Sequence, residues 1–308
     1  MKNQKGVKMG RLATAVMASV LVLAAACGKT ETKPAEDVAA ADVAETAEAD
    51  ESAEAALHVD VLDCGKIDVS DLDAFSSAGD YAGQTDTFTD TCFLIRHPDG
   101  IMLWDLGLPG MLAMAGPQTQ QIYTVSLDKT LTSHLKDLGL TPDDIDYLAI
   151  SHSHFDHIGQ AAQVQNALWL VHEDELNAMF PSDGSEAQVP ADQLALFAMF
   201  NPLERKTFRG DYDVFGDGSV VIFETPGHTP GHTSLQLMMP EAGPVLLAGD
   251  LYHRSESREL KRVPRFNYDE AMTLASMDAF EARAKELGAT VIIQHEPQDI
   301  DPLKGEIQ

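Results

Sequence analysis

The stretch Ser151-His152-Ser153-His154-Phe155-Asp156-His157 sets three imidazoles and a carboxylate directly behind the apolar run Tyr147–Ile150. A strand end is a rigid platform at the mouth of a cleft. If the backbone stays extended, His152 and His154 present their rings to one side, each able to reach a shared metal at roughly 2.0–2.1 Å. Asp156 and His157 then turn towards a second position. The same kind of ending recurs along the chain. Thr225-Pro226-Gly227-His228-Thr229-Pro230-Gly231-His232 follows a predicted strand at Val220–Glu224, with two histidines competing for one place; Asp250 follows Val245–Ala248, and His295 follows Thr290–Gln294. Separate strands that each end in His or Asp are the pattern of ligands converging on one edge of a sheet sandwich. A carboxylate shared by two metals there would hold them about 3.5–4 Å apart.

The surrounding pattern supplies the sandwich. Strands are predicted at His58–Ile67, at Thr91–His97 and Ile101–Asp105 around the turn Pro98-Asp99-Gly100, at Ile145–Ile150, Ala167–Val171 and Ser234–Met239, and at the sites already named. Helices are predicted at Leu127–Gly139, just after His157, around Glu173–Phe180 and Asp192–Phe200, and over Tyr268–Leu287. Sheets and helices thus alternate without a repeat, as in a layered α/β sandwich.

Composition narrows the chemistry. Lys+Arg 21 against Asp+Glu 49 gives a net charge of -28, a field that repels phosphate backbones, so nucleic acid is excluded as a partner. With Cys 3 and His 11, any metal must be held by imidazole and carboxylate rather than thiolate.

Residues 1–26 carry Lys2, Lys5, Lys8 and Arg11 ahead of the apolar run Leu12–Ala26, the layout of an export signal too short to stay as a membrane span. Its end, Leu23-Ala24-Ala25-Ala26-Cys27-Gly28, resembles the site at which bacterial lipoprotein precursors are lipidated and cut. Cys27 is therefore expected to carry a lipid anchor, with the protein exported and membrane-bound, at the outer membrane facing the periplasm or cell exterior. Residues 27–56, rich in Ala, Glu, Asp and Thr without an aromatic, read as a self-repelling disordered linker, and residues 57–308 as the folded domain.

The set His152-x-His154-x-Asp156-His157, then His228, Asp250 and His295, resembles the metallo-β-lactamase superfamily. Thr91-Cys92-Phe93-Leu94-Ile95-Arg96-His97-Pro98-Asp99-Gly100, Leu103-Trp104-Asp105-Leu106-Gly107-Leu108-Pro109 and the doubled Pro-Gly-His are similar to the N-acyl homoserine lactonases within it. The resemblance implies a four-layer αβ/βα sandwich. It also implies two divalent metals, zinc by preference: one on His152, His154 and His228, the other on Asp156, His157 and His295, with Asp250 bridging and His232 in support. The implied reaction is attack on a neutral lactone carbonyl by a water that the two metals have acidified to a pKa near 7. Asp156 would orient that water and carry its proton to the leaving oxygen. Asp250 argues against antibiotic hydrolysis, because the true β-lactamases lack the bridging aspartate. Many lactonases place a tyrosine three residues after that aspartate; here the register gives His253, with Tyr252 one residue earlier, so either is a candidate for the lactone oxygen. A phosphotriesterase or broad esterase would use the same ligands, and a non-catalytic surface lipoprotein would need none of them.

Phe155 is a candidate pocket-lining residue. The segment Leu106–Ser126 offers Met111, Leu112, Met114, Ile122 and Tyr123 as walls for an acyl chain, or equally for surface packing or a homodimer contact. His58, His97, His134 and His172 lack partners in sequence and are expected outside the site. Asp105, at a strand end, is expected to brace a ligand; Cys64 and Cys92 fall on neighbouring strands and could pair or remain buried thiols.

Overall fold

The computed structural model describes residues 56–182 and 189–308. The export signal, Cys27 and almost all of the linker lie outside the described residues. In chain order the described strands are β1 (His58–Val69), β2 (Asp86–His97), β3 (Gly100–Trp104), β4 (Gln118–Gln120), β5 (Tyr123–Ser126), β6 (Tyr147–Ala149), β7 (Leu168–His172), β8 (Arg205–Phe208), β9 (Tyr212–Asp213), β10 (Val220–Glu224), β11 (Thr233–Met239), β12 (Gly243–Leu247), β13 (Thr290–Ile292) and β14 (Glu306–Ile307). One sheet runs β4-β5-β1-β2-β3-β6-β7-β8, with β14 pairing to β1; the other runs β13-β12-β11-β10-β9.

Strand β2 shows why these sheets must be covered on both faces. Its residues Thr91–Ile95 are buried without a break, so alternation sends successive side chains into two different cores. Phe93 and Ile95 join Trp104, Leu235 and Leu247 between the sheets. Cys92 and Leu94 join Leu103, Leu131, Trp169 and Phe197 on the outer face, under the helices Leu131–Asp137 and Ala191–Ala198. The second sheet is covered in turn by the helix Glu270–Leu287, through Phe280, Met277 and Ala284 against Phe223 and Leu246. Helix, sheet, sheet, helix is the expected four-layer order.

Caps set the helix limits more tightly than periodicity does. Asp269 accepts from Met272 N (2.8 Å), so the long helix begins at Glu270 rather than Tyr268. Thr130 accepts from Ser133 N, which moves the start of the earlier helix from Leu127 to Leu131. The segment Leu106–Ser126 is not the irregular apolar loop its sequence suggests. It holds a helical turn at Leu112–Ala115 and the β4–β5 hairpin, which extends the first sheet beyond β1. The hairpin has no signature in the sequence because Gln118, Thr119 and Gln120 are all exposed and leave no alternation. Cys64 and Cys92 form a disulfide across β1 and β2, at the register shift between Asp63 and Gly65.

Candidate metal centre

Strand β6 delivers the first histidines. Past its end Ser151 N donates to Asp105 Oδ1 (2.6 Å), and the chain remains extended through His154 (φ -73°, ψ 158°), which caps the short helix Phe155–Ile158. The rings of His152 and His154 therefore lie 4.5 Å apart, and the helical turn carries Asp156 and His157 to a neighbouring position. After β10, the loop Thr225–His232 brings His228 Nε2 to 3.0 Å from His154 Nδ1. That loop needs its glycines: Gly227 sits at φ +131°, and a Cβ on Gly231 would stand 2.2 Å from Glu175 N. Strand β12 ends towards Asp250, and β13 leads to His295. Two groups result, His152, His154, His228 and Asp250 in one and Asp156, His157 and His295 in the other, the ligand-type atoms of each within 4.8 Å of one another.

Asp250 is ringed by imidazoles. His157 Nε2 and His295 Nε2 lie 3.2 and 3.0 Å from its Oδ1, and His152, His228 and His253 Nε2 lie 3.5, 3.3 and 3.0 Å from its Oδ2. A cation accounts for this arrangement. His295 Nδ1 donates to Thr89 O (2.7 Å) and His157 Nδ1 to Asp105 Oδ2 (3.0 Å), so in the neutral rings both Nε2 atoms are lone pairs, yet they face each other at 3.2 Å. His152 Nε2 and Asp250 Oδ1 are buried with no hydrogen-bond partner among the described residues. Imidazole and carboxylate donors aimed at a common point fit two divalent metal ions.

The electrostatics divide the two groups. Burial, then the neighbouring imidazoles His157 for one and His228 for the other, hold His152 and His154 well below the usual histidine range. With no metal bound, burial also opposes charge on His157 and His295, but Asp250, with Asp105 and Asp156 beside His157, outweighs it: His157 rises well above its ordinary value and His295 to about 9, so that protons take up the attraction a metal would otherwise satisfy. Asp250 is buried too, and the surrounding imidazoles, His253 and His295 foremost, hold it well below the usual carboxylate range.

Asp105 braces His157, as its strand-end position suggested; its other contacts are Ser151 N and Gln294 Nε2 (2.8 Å). Gln294 in turn accepts from Trp104 Nε1 (3.1 Å) and Gly249 N (3.2 Å), so one hydrogen-bonded chain ties together the ends of β3, β6, β12 and β13. Glu175 was invisible to sequence reasoning. Buried on the helix Glu173–Met179, it accepts from Ser153 N (2.7 Å) and Ser153 Oγ (2.5 Å) with Oε1, and from Thr229 Oγ1 (2.7 Å) and Gly231 N (3.0 Å) with Oε2. A single carboxylate thus clamps the His152–His154 segment to the His228 loop. In sequence it is one of three consecutive acidic residues, Glu173, Asp174 and Glu175, in the first turn of that helix, and nothing local sets it apart.

His232 lies behind the centre with both nitrogens engaged. Nε2 accepts from Asp250 N (2.9 Å) and Nδ1 donates to Thr225 O (3.0 Å), and burial pushes its pKa to about 3. The candidacy of Tyr252 is corrected. Its hydroxyl donates to Glu281 Oε1 (3.0 Å), and its ring packs on Phe280 in the core beneath the long helix, away from the histidines. His253 takes the opposite face, stacked at 5.7 Å on His295 and 4.9 Å from Phe75. Phe155 and Tyr123 meet at 6.0 Å, and Tyr123 meets Phe75 at 6.3 Å; Met111 and Met114 are 72% and 95% exposed, so neither walls an enclosed pocket. Phe75 and Phe266, 5.2 Å apart, complete an aromatic rim that no local motif marked. His58, His97, His134 and His172 bind Asp60, Asp217, the Asp63 carbonyl and Glu224, outside the centre.

Residues 86–295 match the model of the Metallo-beta-lactamase superfamily. The N-acyl homoserine lactonase AttM of Rhizobium radiobacter is 32% identical over 216 residues, 67% of this chain and 81% of that protein. A crystal structure of a quorum-quenching N-acyl homoserine lactone hydrolase is similar with a TM-score of 0.69 at 25% identity, covering 82% of this chain and 98% of that one. A further N-acyl homoserine lactone hydrolase structure, with N-hexanoyl-L-homoserine at its catalytic metal centre, shares the fold at a TM-score of 0.69 and 24% identity, covering 82% of this chain and 99% of that one. With its strand-end histidines and aspartates inside the matched span, the chain belongs to the metallo-beta-lactamase superfamily.

Proposed function

We propose that this protein hydrolyses the ring ester of N-acyl homoserine lactones at a dinuclear centre, releasing the open N-acyl homoserine. The observation that carries the reading is the ring of imidazole nitrogens around Asp250, in a chain whose curated relatives are lactonases. His152, His154 and His228 would hold one divalent ion and Asp156, His157 and His295 the other, with Asp250 facing both groups; zinc is the proposed metal. When bound, the pair would supply Lewis-acid polarisation of a carbonyl and acidification of a water.

The side chains do the rest. Asp156, at the start of its short helix and 3.8 Å from His295 Nε2, takes the proton of the attacking water and returns it to the ring oxygen as the C–O bond breaks. His253, buried beside Asp250 Oδ2 and bounded by Phe75 and Phe266, is the proposed contact to the lactone oxygen. Phe155 and Tyr123 line the approach, while Met111 and Met114, exposed at its outside, are proposed only as acyl-chain contacts at the surface. Export and a lipid anchor on Cys27 complete the proposal from sequence, and Cys27→Ser should release the protein from membranes.

One sample decides the activity. Metal analysis should give two ions per chain, and the loaded protein should open short- and long-chain homoserine lactones. Intact lactones alongside efficient turnover of a phosphotriester or aryl ester would overturn the assignment.

A further inference from the structure

Asp90 sits on β2 opposite Gly65 of β1. It is 1% exposed, and among the described residues neither carboxylate oxygen has a hydrogen-bond partner. Its neighbours in sequence are pinned to the last ligand loop: His295 Nδ1 donates to Thr89 O (2.7 Å), and the hydroxyls of Thr89 and Thr91 both donate to Gln294 O (3.0 Å). The charged groups acting on Asp90 are Asp156, His157, His295 and Asp105. It nevertheless stands outside the close-set group that Asp156, His157 and His295 form.

A buried carboxyl with nothing to accept from is costly, and native folds keep few of them. Burial first, then the Asp156 carboxylate, opposes its ionisation. A group whose charge the fold disfavours destabilises that fold at neutral pH. Alternation along β2 puts Phe88 and Cys92 on the same face, so an apolar residue would suit position 90 for folding alone. What the carboxylate lacks is a hydrogen-bond donor, and the group Asp156, His157 and His295, tied to its strand through Thr89 and Gln294, is where a divalent cation would be held.

We propose that Asp90 is a non-coordinating counter-charge for the cation at Asp156, His157 and His295. It strengthens binding at that second position and weakens the metal-free fold. The proposal rests on the dinuclear reading above. Its signature is two effects of opposite sign from one substitution, which a packing role does not produce.

The test uses the full chain, stripped of metal by chelation, as wild type, Asp90→Asn and Asp90→Val. Thermal unfolding of the metal-free proteins is measured, followed by calorimetric titration with Zn2+. The metal-free variants should melt above wild type, the second equivalent of Zn2+ should bind at least roughly tenfold more weakly, and the first should be unchanged. Unaltered affinity for the second equivalent overturns the proposal whatever the melting temperatures show. So does equal weakening of both equivalents, or a metal-free melting temperature that falls in both variants. Asp90→Val carries the test if the amide of Asp90→Asn fails to fold, and the reverse holds too. A wild type that takes up only one equivalent would instead overturn the dinuclear reading, an outcome visible before either variant is examined.

Discussion

The two halves of the centre share one sheet edge but are held in place differently. At the first position a buried carboxylate holds the backbone: Glu175 grips Ser153, Thr229 and Gly231, while the rings meet uncharged partners, Ser151 Oγ beside His152 Nδ1 (3.1 Å) and Asn267 Oδ1 beside His228 Nδ1 (3.3 Å). At the second, the bracing carboxylate acts on a ring itself, Asp105 on His157, and the Thr89 carbonyl holds His295. The second position is also where carboxylates gather, and its histidines are the ones held above their ordinary pKa. One centre thus combines a site made rigid by its loops with a site made basic by its neighbours. The two should respond to different mutations.

The largest expected effect abolishes the distinction. Asp250→Asn removes the carboxylate that both groups share, so metal analysis should find both ions lost and lactonase activity gone. Asp156→Asn should separate the halves: kcat/KM falls by several orders of magnitude because a ligand and the proton carrier disappear together, while one ion per chain remains on His152, His154 and His228.

Changes to the braces should be milder and selective. Asp105→Asn leaves His157 without its carboxylate partner and should weaken the second ion about 10- to 100-fold; Glu175→Gln leaves a loop N–H unpaired and should weaken the first by a similar factor. Sequential metal competition reads both, and equal loosening of the two ions in either variant would erase the difference between backbone and ring support. The smallest effect is on pH dependence. In the metal-free chain the raised pKa of His295, about 9, contributes stability that is full below about 6.5, the unfolded value, and is lost as pH rises through 9. Denaturant midpoints of the chelated protein should therefore fall over that range, and a flat or rising profile would contradict the charge balance around Asp250.

Local signals in the sequence were sufficient for some features and silent on others. The strands ending at His152, His228, Asp250 and His295 were legible because alternation and turn residues act over a few positions. The hairpin at Gln118–Ser126 was not, because β5 pairs with the far end of β1, 54 or more residues away in sequence, through half-buried residues, and its outer strand β4 is exposed throughout and carries no pattern. Between Tyr252 and His253 the sequence offered no choice. Adjacent residues of an extended backbone point to opposite faces, and which face meets the metals depends on the long helix that buries Tyr252 against Phe280 and Glu281.

The sequence by itself determined a layered α/β sandwich, from the alternation of strand and helix patterns along the chain, and the placement of histidines and aspartates at strand ends, from spacing within short stretches. Only the tertiary structure decided what surrounds those ligands. Glu175, Phe75, Phe266 and Asp90 come from distant parts of the chain, and their roles exist only once two sheets have packed and brought four loops to one edge. The contacts that brace, bound and charge the centre join residues far apart in sequence, so no local propensity encodes them.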